Sequence, residues 1–181
     1  EGLIGSAYGD ILNASDANNE LRGNAGNDQL RGYRGNDIID GGSGSDKIWG
    51  GTGRDALTGG TGSDTFVFAL GDSKGTFNQR DVINGFQRDM FLGSVLVQGD
   101  LIDLSGIDAR PATSTNDAFS FIGSRAFYGA GQVSVTRVLS ANGVDYYNLV
   151  QAEVNGDGVA DLQVSVFANL GSTLTAADFL L

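Results

Sequence analysis

The chain has 181 residues, of which 29 are glycine, and it carries a net charge of −11 with a pI near 4.1. This acidity argues against nucleic-acid binding, because contacts to phosphate need a basic surface. The sequence contains neither cysteine nor histidine. Disulfide bonds, zinc sites built from thiolate or imidazole ligands, and catalysis by a histidine base are therefore excluded.

The first third of the chain, residues 5–67, is a run of seven nine-residue repeats without an insertion. They read GSAYGDILN, ASDANNELR, GNAGNDQLR, GYRGNDIID, GGSGSDKIW, GGTGRDALT and GGTGSDTFV. The sixth position is Asp10, Asn19, Asp28, Asp37, Asp46, Asp55 or Asp64, and the eighth is Leu12, Leu21, Leu30, Ile39, Ile48, Leu57 or Phe66. A flexible acidic linker would not place an apolar residue at every ninth position, so the pattern predicts a folded repeat array.

Each repeat is predicted to be a glycine-rich turn followed by a three-residue strand. Alternation along the strand directs position eight inward and positions seven and nine outward. Two repeats then form one coil of a right-handed parallel solenoid, in which side chains eighteen residues apart stack. The first column of turns carries Asp10, Asp28, Asp46 and Asp64, and the second column carries Asn19, Asp37 and Asp55.

The stacked aspartates predict a metal ion. Carboxylates about 4.8 Å apart repel one another unless a cation lies between them. Calcium suits this position because it accepts six to eight oxygen ligands in flexible geometry, whereas magnesium needs a stricter octahedron. We expect about five or six calcium ions, whose charge would bring the acidic chain close to neutrality. The same repulsion should keep the metal-free chain open.

The rest of the chain, residues 68–181, changes to alternating strands and is predicted to form an antiparallel, sandwich-like cap. The strands are expected at residues 132–138, 145–154 and 161–168, with Val133, Val135, Val138, Val150, Ala152, Val154, Leu162, Val164 and Val166 inward. Asn155-Gly156-Asp157-Gly158 between the last two is predicted to be a hairpin turn rather than a calcium loop, because no Glu follows at the twelfth position. Thr175 and Asp178 fit a capping box for one helical turn.

Several linked motifs resemble RTX exoproteins, and specifically the C-terminal domain of serralysin-type metalloproteases. Besides the repeats, they are Asp64-Thr65-Phe66-Val67-Phe68, Asp81-Val82-Ile83-Asn84-Gly85-Phe86, Leu101-Ile102-Asp103-Leu104-Ser105 and Asn155-Gly156-Asp157-Gly158-Val159-Ala160-Asp161. The resemblance implies an all-β fold, a right-handed parallel β-roll at residues 1–67 followed by the antiparallel cap at 68–181. Residues 87–100 depart from the family pattern and are interpreted as an extra hairpin.

The resemblance also implies a ligand set. In such β-rolls the carbonyls at positions two and four of one turn and positions one and three of the next join both position-six carboxylates. Carried over, the metal residues are Asp10, Gly23, Asn24, Ala25, Gly26, Asp28, Gly32, Tyr33, Arg34, Gly35, Asp37, Gly41, Gly42, Ser43, Gly44, Asp46, Gly50, Gly51, Thr52, Gly53, Asp55, Gly59, Gly60, Thr61, Gly62 and Asp64, with Asp81 capping the last ion. Tyr8, Ala17 and Asn19 depart from the repeat, so sites that use Asp10 or Asn19 are expected to be weaker.

The function implied is that of a non-catalytic, secreted module from a Gram-negative bacterium. It would stay unfolded in the cytosol, leave by type I secretion through an uncleaved C-terminal signal, and fold on extracellular calcium. Because the chain begins inside a repeat array, we expect an upstream catalytic domain, such as a metalloprotease, a mannuronan epimerase or a polysaccharide lyase. No apolar run reaches membrane-spanning length.

A second hypothesis is binding of an acidic polysaccharide, since RTX modules also occur beside mannuronan C-5-epimerases and lyases. Arg31, Lys47 and Trp49 share one outward strand face on adjacent coils, where an indole beside two cations could hold an acidic sugar chain. The alternative is that Trp49 packs against the second half of the chain.

Overall fold

The computed structural model of the protein describes residues 1–73, 79–88, 90–92, 95–111, 117–140, 143, 145–168 and 173–181, with only the backbone described at 90–92 and 95–97. The protein is all-β. A nine-stranded sheet, called the long sheet, has the strand order β1-β3-β5-β7-β9-β16-β15-β14-β13, and a six-stranded sheet, called the short sheet, has the order β17-β12-β8-β6-β4-β2.

The repeats alternate between the two sheets. The long sheet begins with β1 (Gly2–Ile4), β3 (Glu20–Ala25), β5 (Ile38–Ser43) and β7 (Ala56–Thr61), while the short sheet takes β2 (Ile11–Asn13), β4 (Gln29–Arg31), β6 (Lys47–Trp49) and β8 (Thr65–Val67). Neighbouring strands pair in parallel with partners eighteen residues apart, as in Leu21↔Ile39 and Leu30↔Ile48. The predicted parallel β-roll with two repeats per coil is confirmed.

Position eight forms the core of the roll. Leu21, Leu30, Ile39, Ile48, Leu57 and Phe66 are almost completely buried, and Leu12 of the first coil is half-buried. Burying a side chain of this size contributes roughly 1.5–3 kcal/mol relative to leaving it exposed. The apolar stack therefore supplies the cohesion between coils, and positions seven and nine are left to face outward.

Both sheets continue beyond the repeats. Strand β9 (Val82–Phe86) pairs in parallel with β7, which places Ile83 on Leu57. Strand β12 (Leu101–Asp103) pairs in parallel with β8, which places Ile102 on Phe66. The roll therefore gains one further strand on each side from the second half of the chain, and the division at residue 67 stays a prediction.

The antiparallel part is an extension of the long sheet. It consists of β13 (Ser120–Phe121), β14 (Gln132–Leu139), β15 (Tyr146–Glu153) and β16 (Leu162–Ala168). β14, β15 and β16 are antiparallel neighbours, as predicted, while β16 joins β9 in parallel. The predicted inward residues of these strands are buried, apart from the half-buried Val138. In the 87–100 segment, β10 (Met90–Leu92) pairs antiparallel with β11 (Val95–Val97), as expected of a hairpin.

The C-terminus closes the short sheet. The expected helical turn is a single 3₁₀ turn, Ala176–Asp178, in which the Thr175 N–H donates to Asp178 Oδ2 at 2.6 Å. Strand β17 (Phe179–Leu180) then pairs in parallel with β12. Arg88 forms a 2.9 Å ion pair with the buried Asp178 and thereby anchors this turn to the end of the roll.

Candidate calcium sites between the coils

The turns of successive coils stack so that each position-six carboxylate reaches back to the coil before it. In the first column, Asp46 Oδ1 accepts from the Asp28 N–H at 2.8 Å, and Asp64 Oδ1 accepts from the Asp46 N–H at 2.9 Å. In the second column, Asp55 Oδ1 accepts from the Asp37 N–H at 2.8 Å. Sequence and topology thus place the aspartates in two continuous ladders, as the eighteen-residue spacing predicted. We call the space between two successive turns of one column an interval, named by the two ladder residues that flank it.

The second oxygen of these carboxylates is the unusual feature. It is buried and has no hydrogen-bond partner among the described residues at Asp28, Asp37, Asp46, Asp55, Asp64 and Asp81. Burying a charged oxygen without a partner is costly, and native structures rarely leave one in this state. Six such oxygens in two ladders indicate that a group outside the polypeptide pairs with them.

Backbone carbonyls point into the same intervals. A Cβ added at Gly23 would collide with both Asp28 Oδ2 and the Gly41 carbonyl oxygen, so these two oxygens lie close together. A Cβ at Gly42 or Gly44 would likewise collide with the carbonyl oxygen of Asn24 or Gly26. The Asp28/Asp46 interval is therefore lined by oxygens from both coils, two from the earlier turn and one from the later turn besides the carboxylate.

The second column repeats this arrangement. A Cβ at Gly32 would collide with Asp37 Oδ2 and would lie 2.5 Å from the Gly50 carbonyl oxygen, and one at Gly51 or Gly53 would collide with the carbonyl of Tyr33 or Gly35. An all-oxygen donor set of carboxylates and carbonyls fits calcium and does not fit a metal that prefers nitrogen or sulfur. When bound, calcium would supply the positive charge that these buried oxygens lack.

Position two explains why the turns need glycine. Its φ is positive, at 107° in Gly42 and 106° in Gly60, and the strained non-glycine residues Asn24 and Tyr33 adopt 74° and 70° at the same position. Position four is also left-handed, as Gly44 shows with φ 127°. This backbone turns successive carbonyls toward the neighbouring coil, which a right-handed conformation would not do.

The carbonyl oxygens of position three already accept a hydrogen bond from the neighbouring coil. The Ser43 carbonyl accepts from the Gly26 N–H at 2.8 Å, the Thr52 carbonyl from Gly35 at 3.0 Å and the Thr61 carbonyl from Gly44 at 2.9 Å. These carbonyls have one lone pair left for a metal. The ligand assignment of individual residues stays a prediction.

The first coil lacks the unpartnered oxygens of the later coils. Asp10 Oδ2 accepts from the Ser6 N–H at 2.6 Å and from Ser6 Oγ at 2.9 Å. In the second column, the Asn19 side chain is bonded to the turn of its own repeat. Ser6 and Ser15 stand where later repeats have a left-handed residue, and Tyr8 and Ala17 replace the glycine of position four.

At the other end, the ladders continue into the second half of the chain. Asp81 Oδ1 accepts from the Asp55 N–H at 2.8 Å, and its role in capping the last ion stays a prediction. Asp100, which the sequence reasoning missed, does the same for the Asp64 N–H at 3.1 Å. The signal was present: Asp100-Leu101-Ile102 reproduces positions six to eight of the repeat without its glycines, as does Asp81-Val82-Ile83.

Gln87 closes the Asp64/Asp100 interval from one side. Its N–H donates to Asp100 Oδ2 at 2.8 Å, and its Nε2 donates to the Gly60 carbonyl oxygen. Asp64 Oδ2 is still unpartnered within the described part of the chain. This interval therefore differs from the internal ones by one occupied carbonyl.

Burial without a counter-ion raises the pKa of these carboxyls. Desolvation raises the pKa of Asp46 to about 6, that of Asp55 to about 7, that of Asp81 to about 8 and that of Asp100 to about 7. Neighbouring carboxylates of the same ladder add to the effect, as Asp55 does at Asp81. A bound cation would reverse the shift, because positive charge favours the ionised form.

Each interval brings together only two carboxylates, and the remaining oxygens come from the backbone. Accordingly, among the described residues there is no cluster of three or more acidic side chains that could hold a metal. The Asn155 loop connects the antiparallel strands β15 and β16, and in it Asp157 Oδ1 accepts from the Val159 N–H at 2.7 Å and Asp161 Oδ2 from the Val154 N–H at 2.8 Å.

The second candidate surface lies on the outer face of the short sheet. The guanidinium carbon of Arg31 lies 4.0 Å from the Trp49 ring centroid, and Lys47 Nζ lies 5.3 Å from it. Trp49 and Arg31 are half-buried and line an open groove with Tyr33 and Arg34. The three predicted residues are therefore together, with the indole already in contact with its two cations.

These features define a calcium-binding β-roll of nonapeptide repeats. The sequence model of the RTX calcium-binding nonapeptide repeat matches residues 4–39 and 31–66. Residues 4–66 are thus RTX repeats, and RTX repeats bind calcium. No curated protein matches the sequence.

Two solution structures of modules from the mannuronan C5-epimerase of Azotobacter vinelandii are similar to this chain. The AlgE6R3 subunit is 26% identical with a TM-score of 0.42, and the match covers 99% of this chain and 83% of that one. The AlgE6R2 subunit is 23% identical with a TM-score of 0.40, and the match covers 100% and 92%. In the described part of this chain, no helix has the length and apolar character needed to cross a membrane.

Proposed function

We propose that this chain is a calcium-triggered folding and secretion module of a larger exoprotein. The observation that supports this most directly is the set of six buried carboxylate oxygens without a partner. The chain has a net charge of −11 and buries these oxygens when the roll forms. Without a cation, burying them raises the electrostatic free energy of the folded state. Calcium would therefore be a condition of folding as well as a ligand of the folded protein.

The geometry supports about five calcium ions, the lower end of the expected range. Unpartnered oxygens face the Asp28/Asp46, Asp46/Asp64 and Asp64/Asp100 intervals of the first column, and the Asp37/Asp55 and Asp55/Asp81 intervals of the second. Sites of extracellular modules have dissociation constants of roughly 0.1–1 mM. Such sites would stay empty in the cytosol and fill outside the cell.

The burial of residues 175–181 supports export before folding. Residues 175–181, which would carry the type I secretion signal, contain the buried residues Asp178 and Phe179 and add a strand to the short sheet. A transport machinery could read this segment only while the chain is unfolded. Low cytosolic calcium would keep it readable, and extracellular calcium would bury it after export.

A secretion assay tests this function. The chain is fused behind a reporter and co-expressed with a type I transporter, with calcium varied in the medium. We expect removal of residues 175–181 to abolish export, while Asp46→Ala leaves export intact and lowers the folded fraction outside. Export that survives the truncation would overturn the secretion role, and an equal folded fraction with and without calcium would overturn the trigger.

A second candidate function is binding of an acidic polysaccharide on the outer face of the short sheet, at Arg31, Lys47 and Trp49. It is favoured by the half-buried indole with a guanidinium 4.0 Å from its centroid, since the two cations are held beside an aromatic surface. Calcium-loaded protein should show a change in Trp49 fluorescence with alginate-like oligomers, weakened by salt because surface charges are screened over about 8–10 Å.

Replacing Arg31 and Lys47 together by Gln should abolish this response without moving the calcium midpoint. The matched control replaces Arg22 and Arg54, two exposed cations that do not lie on strands of the short sheet, and should retain binding. A panel of acidic glycans that leaves Trp49 fluorescence unchanged would exclude this function.

A further inference from the structure

The second repeat places a carboxamide where the later repeats place a carboxylate. Asn19 is almost completely buried, at 4% exposure. Its Nδ2 donates to the Ser15 carbonyl oxygen at 2.9 Å, to the Ala17 carbonyl oxygen, and to Asp37 Oδ1 at 3.3 Å. One nitrogen therefore contacts three oxygens from two successive coils.

These oxygens correspond to those that line the other intervals. Ser15 and Ala17 occupy positions two and four of their repeat, equivalent to Asn24 and Gly26 of the next repeat. In that next repeat the corresponding carbonyls face a space beside an unpartnered Asp28 oxygen. In the Asn19/Asp37 interval, the amide nitrogen lies against the carbonyls instead.

The remaining polar groups of Asn19 also have hydrogen-bond partners. Asn19 Oδ1 accepts from Ser15 Oγ at 3.3 Å, and the Asn19 backbone N–H donates to Asp37 Oδ1 at 2.8 Å. On the other side of the same coil, the Ser6 donors serve Asp10 Oδ2. Within the described residues, the first coil thus has no buried carboxylate oxygen left without a partner.

We propose that the Asn19 carboxamide takes the place of a calcium ion between the second and fourth repeats, so that the first coil docks on the roll without an ion in this interval. A neutral amide supplies donors to the carbonyls and removes one of the two carboxylates that a divalent ion would need. The inference rests on the proposed function, in which the remaining intervals hold calcium. It makes Asn19 a determinant of calcium stoichiometry.

The test is the number of calcium ions bound per chain, counted by native mass spectrometry at saturating calcium. Asn19→Asp restores the repeat at position six, and it should bind one ion more than the wild type. The matched control is Asn18→Asp, which adds the same charge next door on an exposed side chain whose Oδ1 accepts from the Asn36 N–H. This control should leave the count unchanged.

Because Ala17 also departs from the repeat, Ala17→Gly with Asn19→Asp is the second variant, and it too should gain one ion. The inference would be overturned if neither variant bound more calcium than the wild type. It would also be overturned if Asn19→Ala bound one ion fewer than the wild type. Failure of the proposed function looks different, since the wild type would then bind no calcium and gain no structure from it.

NMR of the calcium-loaded wild type gives an independent readout that needs no variant. The Asn19 side-chain amide protons should exchange with solvent slowly, because the buried Nδ2 donates to the Ser15 and Ala17 carbonyl oxygens and to Asp37 Oδ1. Rapid exchange in the calcium-loaded state would overturn the inference.

Discussion

The backbone N–H of Asp55 donates to Asp81 Oδ1 at 2.8 Å across a separation of 26 residues, where the same bond within the repeats spans 18. Asp81 thus takes the place of a position-six aspartate although its segment lacks the glycine-rich turn. The Asp81 carboxyl is completely buried, and its second oxygen has no partner in the described part of the protein. The end of the roll is therefore built with the same chemistry as its interior.

The first prediction is that folding follows calcium. Circular dichroism in chelator at neutral pH should show a largely disordered chain, because the ladders cannot be buried while ionised. Added calcium should restore β signal cooperatively, and magnesium should do little, since it keeps its waters and needs a stricter geometry. A fully folded, chelator-resistant protein would contradict this prediction.

The second prediction compares Asp46 with Asp10. Asp46→Ala removes an unpartnered buried oxygen and leaves the Asp28 N–H without its acceptor, at a cost of about 1–3 kcal/mol for the buried donor alone. Asp10→Ala removes a carboxylate whose Oδ2 already accepts a hydrogen bond from the Ser6 N–H. The calcium midpoint should rise more for Asp46→Ala. Asp40→Ala, which removes one exposed charge, is the control, and equal effects at Asp10 and Asp46 would be the contrary result.

The third prediction concerns pH in the absence of calcium. The ladder carboxyls have pKa values raised from 3.8 to about 6 at Asp46, about 7 at Asp55 and about 8 at Asp81, chiefly by desolvation. The folded chain then binds more protons than the unfolded chain between pH 4 and 8, so its stability falls as pH rises through this window. Calcium-free protein should gain β signal when acidified from pH 7.5 to pH 5.

Calcium and protons should compete in the same experiment. The calcium midpoint should rise as pH falls, because protonated carboxyls are poor ligands. A calcium-free chain equally disordered at pH 5 and pH 7.5 would show that carboxylate charge is not what opposes folding.

The fourth prediction tests Asp100 as a hidden member of the first column. Asp100→Ala removes the acceptor of the Asp64 N–H and of the Gln87 N–H, and both donors lie at the junction between roll and cap. The calcium midpoint should rise by more than it does in Asp40→Ala, and fluorescence-monitored unfolding should begin at lower denaturant. A shift no larger than that of the control would remove Asp100 from the ladder.

The fifth prediction concerns the apolar stack. Phe66 is completely buried, lies in register with Ile102, and has its ring centroid 6.1 Å from that of Phe86. Phe66→Ala should lower the free energy of unfolding in saturating calcium by roughly 3–5 kcal/mol. Ile38→Ala, at an outward position with 58% exposure, should change it by less than about 0.5 kcal/mol. Similar losses for both would mean that the stack does not hold the coils together.

Sequence periodicity was sufficient for the roll because its two signals are local and repeat at fixed spacing. The inward direction of Leu21 and Ile39 follows from strand alternation, and the stacking of Asp28 on Asp46 follows from two repeats per coil. Both were predicted and are found. The antiparallel order of β14, β15 and β16 likewise follows from short connections between alternating strands.

What the sequence could not predict depends on contacts between distant segments. Asp100 lies 36 residues from the Asp64 N–H that it accepts from, and the intervening insertion hides its place in the ladder. The parallel pairing of β16 with β9 joins segments about eighty residues apart, so no local pattern reports it. The Asn19 amide geometry was also out of reach, because the residue type shows only that a carboxylate is missing.

The register of the roll has a consequence for its length. Because the ladder bonds and core contacts within the repeats link residues eighteen apart, removing one whole coil of the repeats would rejoin the chain with both ladders and both halves of the core still aligned. Removing a single repeat would instead transfer every upstream strand to the opposite sheet and bring Asn19 into the first column. Lengthening and shortening in steps of two repeats is therefore the kind of variation that this architecture tolerates, whereas inserting or removing an odd number of repeats is the kind that it resists.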